Sequence, residues 1–278
     1  MSEFVYDRVV VLGIDGAGAF FRQAETPNID RIFADGAVSY EVIAPMPTVS
    51  AQCWGAILLG VQPEVHKLTN EIISEQPYDP KSIYPSVFRV IRENDPGATL
   101  FSVCDWSPIN FGIVEDGIDV VKSNVGGCDP AVTRRICKFV SENDPKFLFA
   151  QFDQADGAGH QYGYGTEKHL QQIAVEDGYV GQIFEAYKAR GFLDTTLFIV
   201  TADHGGKDHS HGGDSEGEKK VMFAARGASV QKGVIGEMEL RDTAAVVLHA
   251  LGYKQPQTWT GRVPSGLFQG VEAGPRPE

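Results

Sequence analysis

The residues best suited to chemistry lie in one stretch of the last third of the chain, Thr201 to Gly213, which reads TADHGGKDHSHGG. It contains three histidines, two aspartates and four glycines, and it follows the apolar run Thr196 to Val200. Imidazole and carboxylate groups are common ligands for divalent transition metals. A buried strand that ends in Asp-His-Gly-Gly presents such ligands at the carboxyl edge of a sheet, where open α/β folds bind their ligands. The stretch therefore predicts part of a metal site.

Two further apolar runs end in acidic residues. Arg8 to Ile14 is followed by Asp15, and Lys146 to Phe152 is followed by Asp153. Continuous apolar runs are typical of strands buried on both faces. Because the carboxyl ends of parallel strands meet at one edge, these aspartates and Asp203 are expected to lie close together. A lone aspartate after a strand is more often a turn or cap residue, but the agreement of three strand ends favours a shared site.

A second group of candidate ligands lies in QFDQADGAGHQYG, residues 151–163. Asp156 and His160 are four residues apart, so either one helical turn or a tight loop would bring them together. The two glycines between them disfavour a regular helix and favour the loop. The alternative is a surface turn with a solvated histidine. Asp153 is the competing carboxylate, and it could instead orient His160.

A candidate nucleophile, Ser50, occurs in PTVSAQCWGAILLGVQPEVH, residues 47–66, immediately before a predicted helix. Backbone N–H groups and the helix dipole favour an anion at such a position. One role for Ser50 is therefore a nucleophile whose pKa is lowered by a metal, with the helix end binding a phosphoryl oxygen. The other role is a plain N-cap, which is the commoner one for such a serine and the one that its immediate neighbours favour.

Strands and helices alternate along most of the chain. The predicted strands are 8–15, 37–44, 98–104, 146–152, 196–202 and 220–225, and the predicted helices are 26–34, 50–60, 86–93, 129–141, 169–190 and 242–251. Segments 61–82 and 105–128 are rich in turn residues and are interpreted as small loop inserts. The alternation predicts an α/β fold with a central, mainly parallel β-sheet flanked by helices on both faces. No repeat or linker divides residues 1–278, so a single domain is expected.

Composition disfavours several other functions. A net charge of −13 and a pI near 5.0 argue against a protein that binds nucleic-acid polymers, because such proteins carry a basic surface. No window approaches the roughly 20 apolar residues that span a bilayer, and the first residues do not resemble a signal peptide. The four cysteines show no CxxC pairing, which is typical of reduced thiols. We expect a soluble, cytoplasmic protein without a membrane partner.

In chain order, these motifs resemble the alkaline phosphatase superfamily, specifically its type I phosphodiesterase/nucleotide pyrophosphatase-like branch. The resemblance extends from Val9 to about Gly227. The matching site residues are Asp15 in VLGIDG, Ser50 in PTVSAQCW, Asp156 and His160 in DGAGHQYG, Asp203 and His204 in ADHGG, and His211 in HGG. Ser50 stands where the family has its Thr or Ser nucleophile. Gly60, Pro63 and His66 match the L-x-G-x-x-P-x-x-H pattern that follows the nucleophile in the family.

The resemblance implies a two-metal hydrolase of small-molecule phosphate esters or nucleotides. It implies one metal held by Asp156, His160 and His211 and another held by Asp15, Asp203 and His204, with the Ser50 oxygen bridging towards the second. Mixed histidine and carboxylate ligation suits Zn²⁺, with Mn²⁺ or Fe²⁺ as alternatives. Ser50 would attack phosphorus to give a phosphoseryl-type intermediate, which water would then release.

The chain also departs from the family pattern. Gln52 and Cys53 stand where the branch commonly has Pro-Asn, whose amide helps to bind a phosphoryl oxygen, so the group with that role is open. No arginine is placed as a phosphate clamp, which favours a diester or pyrophosphate over a monoester, and the sulfatase C-x-P-x-R signature is missing. Two alternatives remain: a phosphomonoesterase or phosphonate hydrolase on the same scaffold, and a metal-binding protein without catalysis in which Ser50 only caps a helix.

Four residues near these motifs are expected to have other roles. His209, the most obvious neighbour in the opening stretch, is expected to be solvated rather than to bind a metal. His66 is expected to be a hydrogen-bonded structural histidine. Trp54 and Tyr162 could line a substrate pocket, although aromatic residues are more often part of the core.

Overall fold

A seven-stranded sheet forms the centre of the computed structural model, which describes residues 4–233 and 235–275. Its strands are β1 (Arg8–Ile14), β2 (Ala37–Ile43), β3 (Leu100–Cys104), β4 (Val121–Asn124), β5 (Phe147–Phe152), β6 (Thr196–Thr201) and β7 (Lys220–Arg226). Their order is β2-β7-β6-β1-β5-β3-β4. Only the two pairs that β7 forms, with β2 and β6, are antiparallel. The prediction of a mainly parallel sheet is confirmed.

Helices cover both faces of this sheet, as predicted. They are α1 (Pro27–Phe33), α2 (Ser50–Leu59), α3 (Pro63–His66), α4 (Asn70–Glu75), α5 (Val87–Asn94), α6 (Pro108–Gly112), α7 (Asp129–Glu142), α8 (Gln154–Tyr162), α9 (Glu167–Ala189), α10 (Glu216–Lys219) and α11 (Asp242–Ala250). The long helix α9 packs against α1, α7 and α8, whereas α2 packs against α3, α4 and α11. Within the described residues, no helix combines the length and the apolar composition needed to cross a membrane.

The three central strands are buried along their whole length. β1 pairs in parallel with β5 on one side and with β6 on the other, and every residue of the three strands is buried. Burial on both faces explains their continuous apolar sequences. Each fully buried Val, Leu, Ile or Phe side chain stabilises the fold by about 1.5–3 kcal/mol relative to an exposed one. The site described below is therefore mounted on the most rigid part of the sheet.

Two predictions about loops are wrong. Segment 105–128 is not only an insert, because it contains α6 and the edge strand β4, which pairs in parallel with β3. β4 has the sequence VKSN with no buried side chain, so it lacks the hydrophobic pattern by which strands are recognised. Segment 61–82 likewise contains the short helices α3 and α4.

The loop expected around Asp156 is also wrong, because residues Gln154–Tyr162 form helix α8. Gly157 is exposed, whereas Gly159 is buried, and a Cβ built on Gly159 would lie 2.4 Å from a ring carbon of Tyr164. Gly159 is therefore required by the close approach of an aromatic ring and not by a turn. One helical turn separates Asp156 from His160, which places both side chains on the same face.

Candidate active site

Neighbouring strand ends bring Asp15, Asp203 and His204 together, as the sequence predicts. Asp15 follows β1, and Asp203 and His204 follow the adjacent β6. Nε2 of His204 lies 3.5 Å from Oδ1 of Asp15 and 3.3 Å from Oδ2 of Asp203. All three side chains are buried, with exposed fractions of 2% for Asp15 and 0% for the other two. This group is called the inner cluster below.

Each carboxylate of the inner cluster is anchored by one oxygen only. Oδ1 of Asp203 accepts hydrogen bonds from the backbone N–H groups of Gly16, at 3.1 Å, and His204, at 2.8 Å. Oδ2 of Asp15 accepts from Nε1 of Trp54, at 2.9 Å, and Nε2 of Gln151, at 3.0 Å. The other oxygens, Oδ1 of Asp15 and Oδ2 of Asp203, have no hydrogen-bond partner among the described residues.

The inner cluster has the composition of a cation site. Burial, followed by the charge of neighbouring carboxylates, raises the pKa of both Asp15 and Asp203 well above the ordinary range. Two buried carboxylate oxygens without donors repel each other and carry a large desolvation cost, which a divalent cation relieves. The residues present therefore fit a bound metal ion.

Asp156, His160 and His211 form a second, more exposed group, called the outer cluster. Oδ2 of Asp156 lies 3.2 Å from Nε2 of His160, and its Oδ1 lies 3.9 Å from Nε2 of His211. One potential ligand atom from each of these three residues lies within 4.8 Å of the other two, and the same holds for Asp15, Asp156 and His204. Asp156 is therefore within reach of both clusters, whereas the sequence assigned it to one metal.

All three histidines of the two clusters are oriented by backbone carbonyls. Nδ1 of His160 lies 2.9 Å from the carbonyl oxygen of His209. Nδ1 of His204 lies 2.9 Å from the carbonyl oxygen of Gly205, and Nδ1 of His211 lies 2.8 Å from that of Thr48. Because a carbonyl oxygen can only accept, each Nδ1 carries the proton that it donates. The Nε2 atoms then point into the site, which is the usual orientation of metal-binding histidines.

Protonation differs between the three imidazoles. Burial lowers the pKa of His204 and of His211, so both are neutral at pH 7. The hydrogen bond to Asp156 raises the pKa of His160 to about 9. Burial acts to raise the pKa of Asp156, but the His160 hydrogen bond and nearby histidine charges lower it to about 2. A metal at the outer cluster must therefore displace a proton from His160.

Ser50 is the first residue of α2, and its Oγ lies 3.2 Å from Nε2 of His204. The N-cap of α2 is Val49, whose side chain makes no capping hydrogen bond. Ser50 is therefore the first helical residue of α2 and not its N-cap. The structure brings the predicted nucleophile to the inner cluster, at the amino end of a ten-residue helix. Its catalytic role stays a prediction.

Thr48, which the sequence did not single out, joins the loop before Ser50 to the loop that carries His211. Its Oγ1 donates to the carbonyl oxygen of Gly213, at 2.8 Å, and accepts from the N–H of Gly212, at 2.9 Å. Its carbonyl oxygen accepts from His211, as described above. Thr48 is fully buried. Its partners are more than 160 positions away, so no local pattern indicates its role.

Asn70 is the second polar group that the sequence missed. Its Oδ1 accepts a hydrogen bond from the N–H of Ala51, at 2.9 Å, and the side-chain NH₂ makes no hydrogen bond within the described residues. This exposed amide therefore lies beside the residue that follows Ser50. Cys53, at the family's asparagine position, is instead fully buried, and burial raises the pKa of its thiol. Asn70 lies at the start of α4, in a segment predicted as loop.

Tyr164 and His209 hold the outer cluster from two sides. The Tyr164 hydroxyl donates to Oδ1 of Asp156. His209 is exposed, as expected, but its carbonyl orients His160, and its own Nδ1 lies 3.1 Å from the carbonyl oxygen of His160. Asp153 accepts a hydrogen bond from Gln151 and makes none with His160. The expectation that Asp153 orients His160 is therefore wrong.

His66 and Trp54 belong to the supporting structure. Nε2 of His66 lies 3.2 Å from the carbonyl oxygen of Gln52, and its Nδ1 accepts from the N–H of Leu68 at 3.0 Å. Burial lowers the pKa of His66 to about 4, which agrees with a neutral, structural histidine. Trp54 is fully buried and orients Asp15, whereas Tyr162 is 39% exposed near the outer cluster.

Comparison with protein families places most of the chain in one group. The model of the type I phosphodiesterase/nucleotide pyrophosphatase family matches residues 9–142 and 131–257. GPI ethanolamine phosphate transferase 2 of Aspergillus fumigatus is 24% identical over 222 residues, or 77% of this chain and 29% of that protein. Human ectonucleotide pyrophosphatase/phosphodiesterase family member 7 is 20% identical over 223 residues, 73% of this chain and 49% of that protein. The chain thus spans less than half the length of either relative.

A solved structure supports the same fold. Murine ectonucleotide pyrophosphatase/phosphodiesterase 5, in an inactive form in complex with AMP, superposes with a TM-score of 0.72 at 14% sequence identity. The match covers 89% of this chain and 96% of that one. At this level of identity the likeness concerns the fold.

Proposed function

The chain belongs to the type I phosphodiesterase/nucleotide pyrophosphatase family, which acts on phosphoric esters, and we propose that it is a metal-dependent phosphodiesterase or nucleotide pyrophosphatase with Ser50 as its nucleophile. One observation carries this proposal. The Ser50 hydroxyl lies at the amino end of α2, 3.2 Å from Nε2 of His204, beside two buried carboxylate oxygens that lack donors. A hydroxyl, a helix end and a cation site converge there.

The proposed ligands are the residues of the two clusters. Asp15, Asp203 and His204 would hold the cation beside Ser50, and Asp156, His160 and His211 would hold the other. Mixed imidazole and carboxylate ligation supports Zn²⁺, with Mn²⁺ and Fe²⁺ as the alternatives that metal analysis distinguishes. When bound, such cations lower the pKa of a hydroxyl or water and stabilise negative charge on phosphoryl oxygens.

The residues of the chain supply the nucleophile and the positioning. Ser50 Oγ would lose its proton and form a bond to phosphorus while the bond from phosphorus to the departing ester oxygen breaks. The departing oxygen leaves as an alcohol after taking up a proton, and the rest of the ester stays on Ser50 as a phosphoseryl-type group. Free N–H groups at the start of α2 favour the phosphoryl oxygens. The unpartnered NH₂ of Asn70, fixed by the Ala51 N–H, is the amide donor that we propose in place of the family's asparagine. Water then attacks phosphorus and releases Ser50.

The charge of the site supports a diester or pyrophosphate substrate over a monoester. Among the described residues, no arginine forms a hydrogen bond or ion pair with a residue of either cluster. A monoester dianion carries one more negative charge than a diester, and that charge needs a partner of the kind an arginine provides. A small nucleotide with a phosphodiester or pyrophosphate linkage therefore suits the site best.

Hydrolysis of two chromogenic esters tests the proposal. We expect turnover of bis-p-nitrophenyl phosphate to exceed that of p-nitrophenyl phosphate, to disappear with a chelator and to return with added Zn²⁺ or Mn²⁺. Ser50→Ala should lower kcat by at least 1,000-fold, on the order expected for loss of a nucleophile, whereas Ser50→Thr, a matched hydroxyl, should retain activity.

Three outcomes would contradict parts of this proposal. Unchanged turnover in Ser50→Ala excludes the covalent route. Faster hydrolysis of the monoester points to a phosphomonoesterase on the same scaffold. Failure of the protein to bind any divalent metal, with no activity after metal addition, excludes the enzyme.

A further inference from the structure

Three buried carboxyl groups lie behind the outer cluster and have no part in the chemistry proposed above. Asp105 follows β3, Asp129 begins α7, and Glu176 lies in the middle of α9. Their exposed fractions are 2%, 0% and 0%. The Asp129 carboxyl contacts the other two side chains. Within the described residues, none of the three forms an ion pair with a lysine, arginine or histidine.

The carboxyl group of Asp129 accepts the first N–H groups of helix α8. Oδ1 of Asp129 accepts from the N–H of Asp153, at 2.9 Å, and its Oδ2 accepts from that of Gln154, at 3.0 Å. The first N–H groups of a helix have no partner inside the helix, so Asp129 fixes where α8 begins. Glu176 lies beside Asp129, and its Oε1 lies 3.3 Å from the side-chain NH₂ of Gln172.

One oxygen of the Asp129–Glu176 pair lacks a donor. Oε2 of Glu176 is buried and has no hydrogen-bond partner among the described residues, although Asp129 contacts this side chain. Both oxygens of Asp129 already accept hydrogen bonds from backbone N–H groups, so Asp129 is fixed as an acceptor. Two ionised carboxylates in contact repel each other strongly when buried. A proton on Glu176 removes the repulsion and supplies the missing donor.

We propose that Glu176 is a neutral carboxylic acid whose hydroxyl donates to Asp129, and that this pair positions α8 and with it Asp156 and His160. Both are positioning residues, because neither contacts a residue of the two clusters through its side chain. The proposal depends on the proposed function only in that α8 carries two of the metal ligands.

The surroundings favour the neutral form of Glu176. Among the described residues, the titratable groups near the pair on neighbouring elements are Asp105, Cys128, Asp153 and Tyr179, none of which is a cation. Oδ1 of Asp105 accepts from the N–H groups of Gly127 and Cys128, and its Oδ2 has no partner. Burial, followed by the charge of Asp129, raises the pKa of Glu176 well above its ordinary value.

Two amide variants of equal size separate this arrangement from simple packing. Glu176→Gln keeps the shape and provides an NH₂ donor towards Asp129 without needing a proton. Asp129→Asn replaces one acceptor oxygen by an NH₂ group that faces a backbone N–H. We expect Glu176→Gln to bind Zn²⁺ within about twofold of the wild type and Asp129→Asn to bind it about 10–100-fold more weakly. Competition of the protein, residues 1–278, with a chromophoric chelator measures both.

The pH dependence of unfolding tests the proton directly. Because the pKa of Glu176 is raised in the folded state, the folded protein retains a proton that the unfolded chain releases above about pH 4.3. The stability of the wild type then falls, relative to Glu176→Gln, as the pH rises from there towards the folded-state pKa. The urea midpoint of Glu176→Gln minus that of the wild type should therefore increase as the pH rises above 5.

Two results would overturn the inference. The first is a difference in urea midpoint that is constant with pH, which would mean that Glu176 is not protonated. The second is a loss of Zn²⁺ affinity in Glu176→Gln as large as that in Asp129→Asn. If Asp129→Asn does not fold, the Zn²⁺ affinity and the urea midpoint of Glu176→Gln decide between the outcomes. A wild type that binds no Zn²⁺ would refute the proposed function, while the urea series would still decide whether Glu176 carries the proton.

Discussion

The two aspartates of the inner cluster are each held at one oxygen and open at the other. Asp15 and Asp203 use one oxygen for hydrogen bonds and have no partner at the other among the described residues, and Nδ1 of His204 is held by a backbone carbonyl. The groups that hold them are mostly backbone atoms and buried side chains, which cannot easily rearrange. Little side-chain ordering therefore remains when a ligand binds, and preorganisation of this kind favours both affinity and rate.

Asn70 provides a prediction at this scale. Asn70→Ala removes the proposed amide donor and should lower kcat/KM for a diester by about 100–1,000-fold, the usual effect of losing one preorganised donor to a phosphoryl or oxyanion group. Asn70→Asp keeps an acceptor for the Ala51 N–H but directs a negative oxygen at the substrate, so it should lower kcat/KM further. Steady-state kinetics with bis-p-nitrophenyl phosphate measures both. Equal activity of Asn70→Asp and wild type would exclude this role.

Several helix ends are closed by carboxyl groups from other elements. Asp177 of α9 accepts from the N–H groups of Asn28, at 3.0 Å, and Ile29, at 2.7 Å, in the first turn of α1. Asp129 of α7 accepts from the N–H groups of Asp153 and Gln154 at the start of α8 in the same way. The starts of two helices are thus set by side chains of other helices, although about 150 residues separate Asn28 from Asp177. Local capping patterns in the sequence cannot reveal such contacts.

The sequence predicted the sheet and the convergence of ligands well, and the physical reason is clear. The central strands are continuous apolar runs, and parallel pairing puts Asp15 and Asp203 at one edge whatever the loops do. Prediction from the sequence failed where the structure depends on distant contacts or on weak patterns. Helix α8 forms despite its glycines because Asp129, Glu176 and Tyr164 support it from other segments. The edge strand β4 has no apolar periodicity to recognise.

The two glycines of α8 give a prediction for this helix. Gly157→Ala should raise the free energy of unfolding by about 0.5–1 kcal/mol, because alanine has the better helix propensity and no atom lies within 4 Å of its Cβ. Gly159→Ala should lower stability, since its Cβ would meet the ring of Tyr164 at 2.4 Å. Urea unfolding of the two variants measures the difference in stability, and each variant serves as the control for the other. Equal stabilisation by both would contradict the packing of Tyr164 described here.

Over the whole molecule, acidic residues predominate, with a net charge of −13. The charge that matters most for the site is local, because the inner cluster concentrates buried carboxylates that no lysine or arginine among the described residues neutralises. This net negative charge agrees with the small-molecule substrate that we propose. The single domain and the cytoplasmic location stay predictions.

Removal of the metal should therefore lower the stability of the entire fold. A ligand that binds only the folded state at 1,000 times its Kd stabilises that state by about 4 kcal/mol. We expect a chelator to lower the thermal midpoint by several degrees and excess Zn²⁺ to restore it. Ser50→Ala, which keeps all six histidine and aspartate ligands, should show the same shift. A midpoint unaffected by the chelator would mean that the clusters hold no structural cation.

Thr48 has a consequence for attempts to change this protein by engineering. It fastens the loop before Ser50 to the loop of His211 through three hydrogen bonds. The two loops are therefore held in place by the same residue, and remodelling either loop will displace the other. Libraries intended to broaden the range of accepted substrates should therefore leave residues 47–50 and 211–213 untouched, because the hydrogen bonds of Thr48 hold both segments in place.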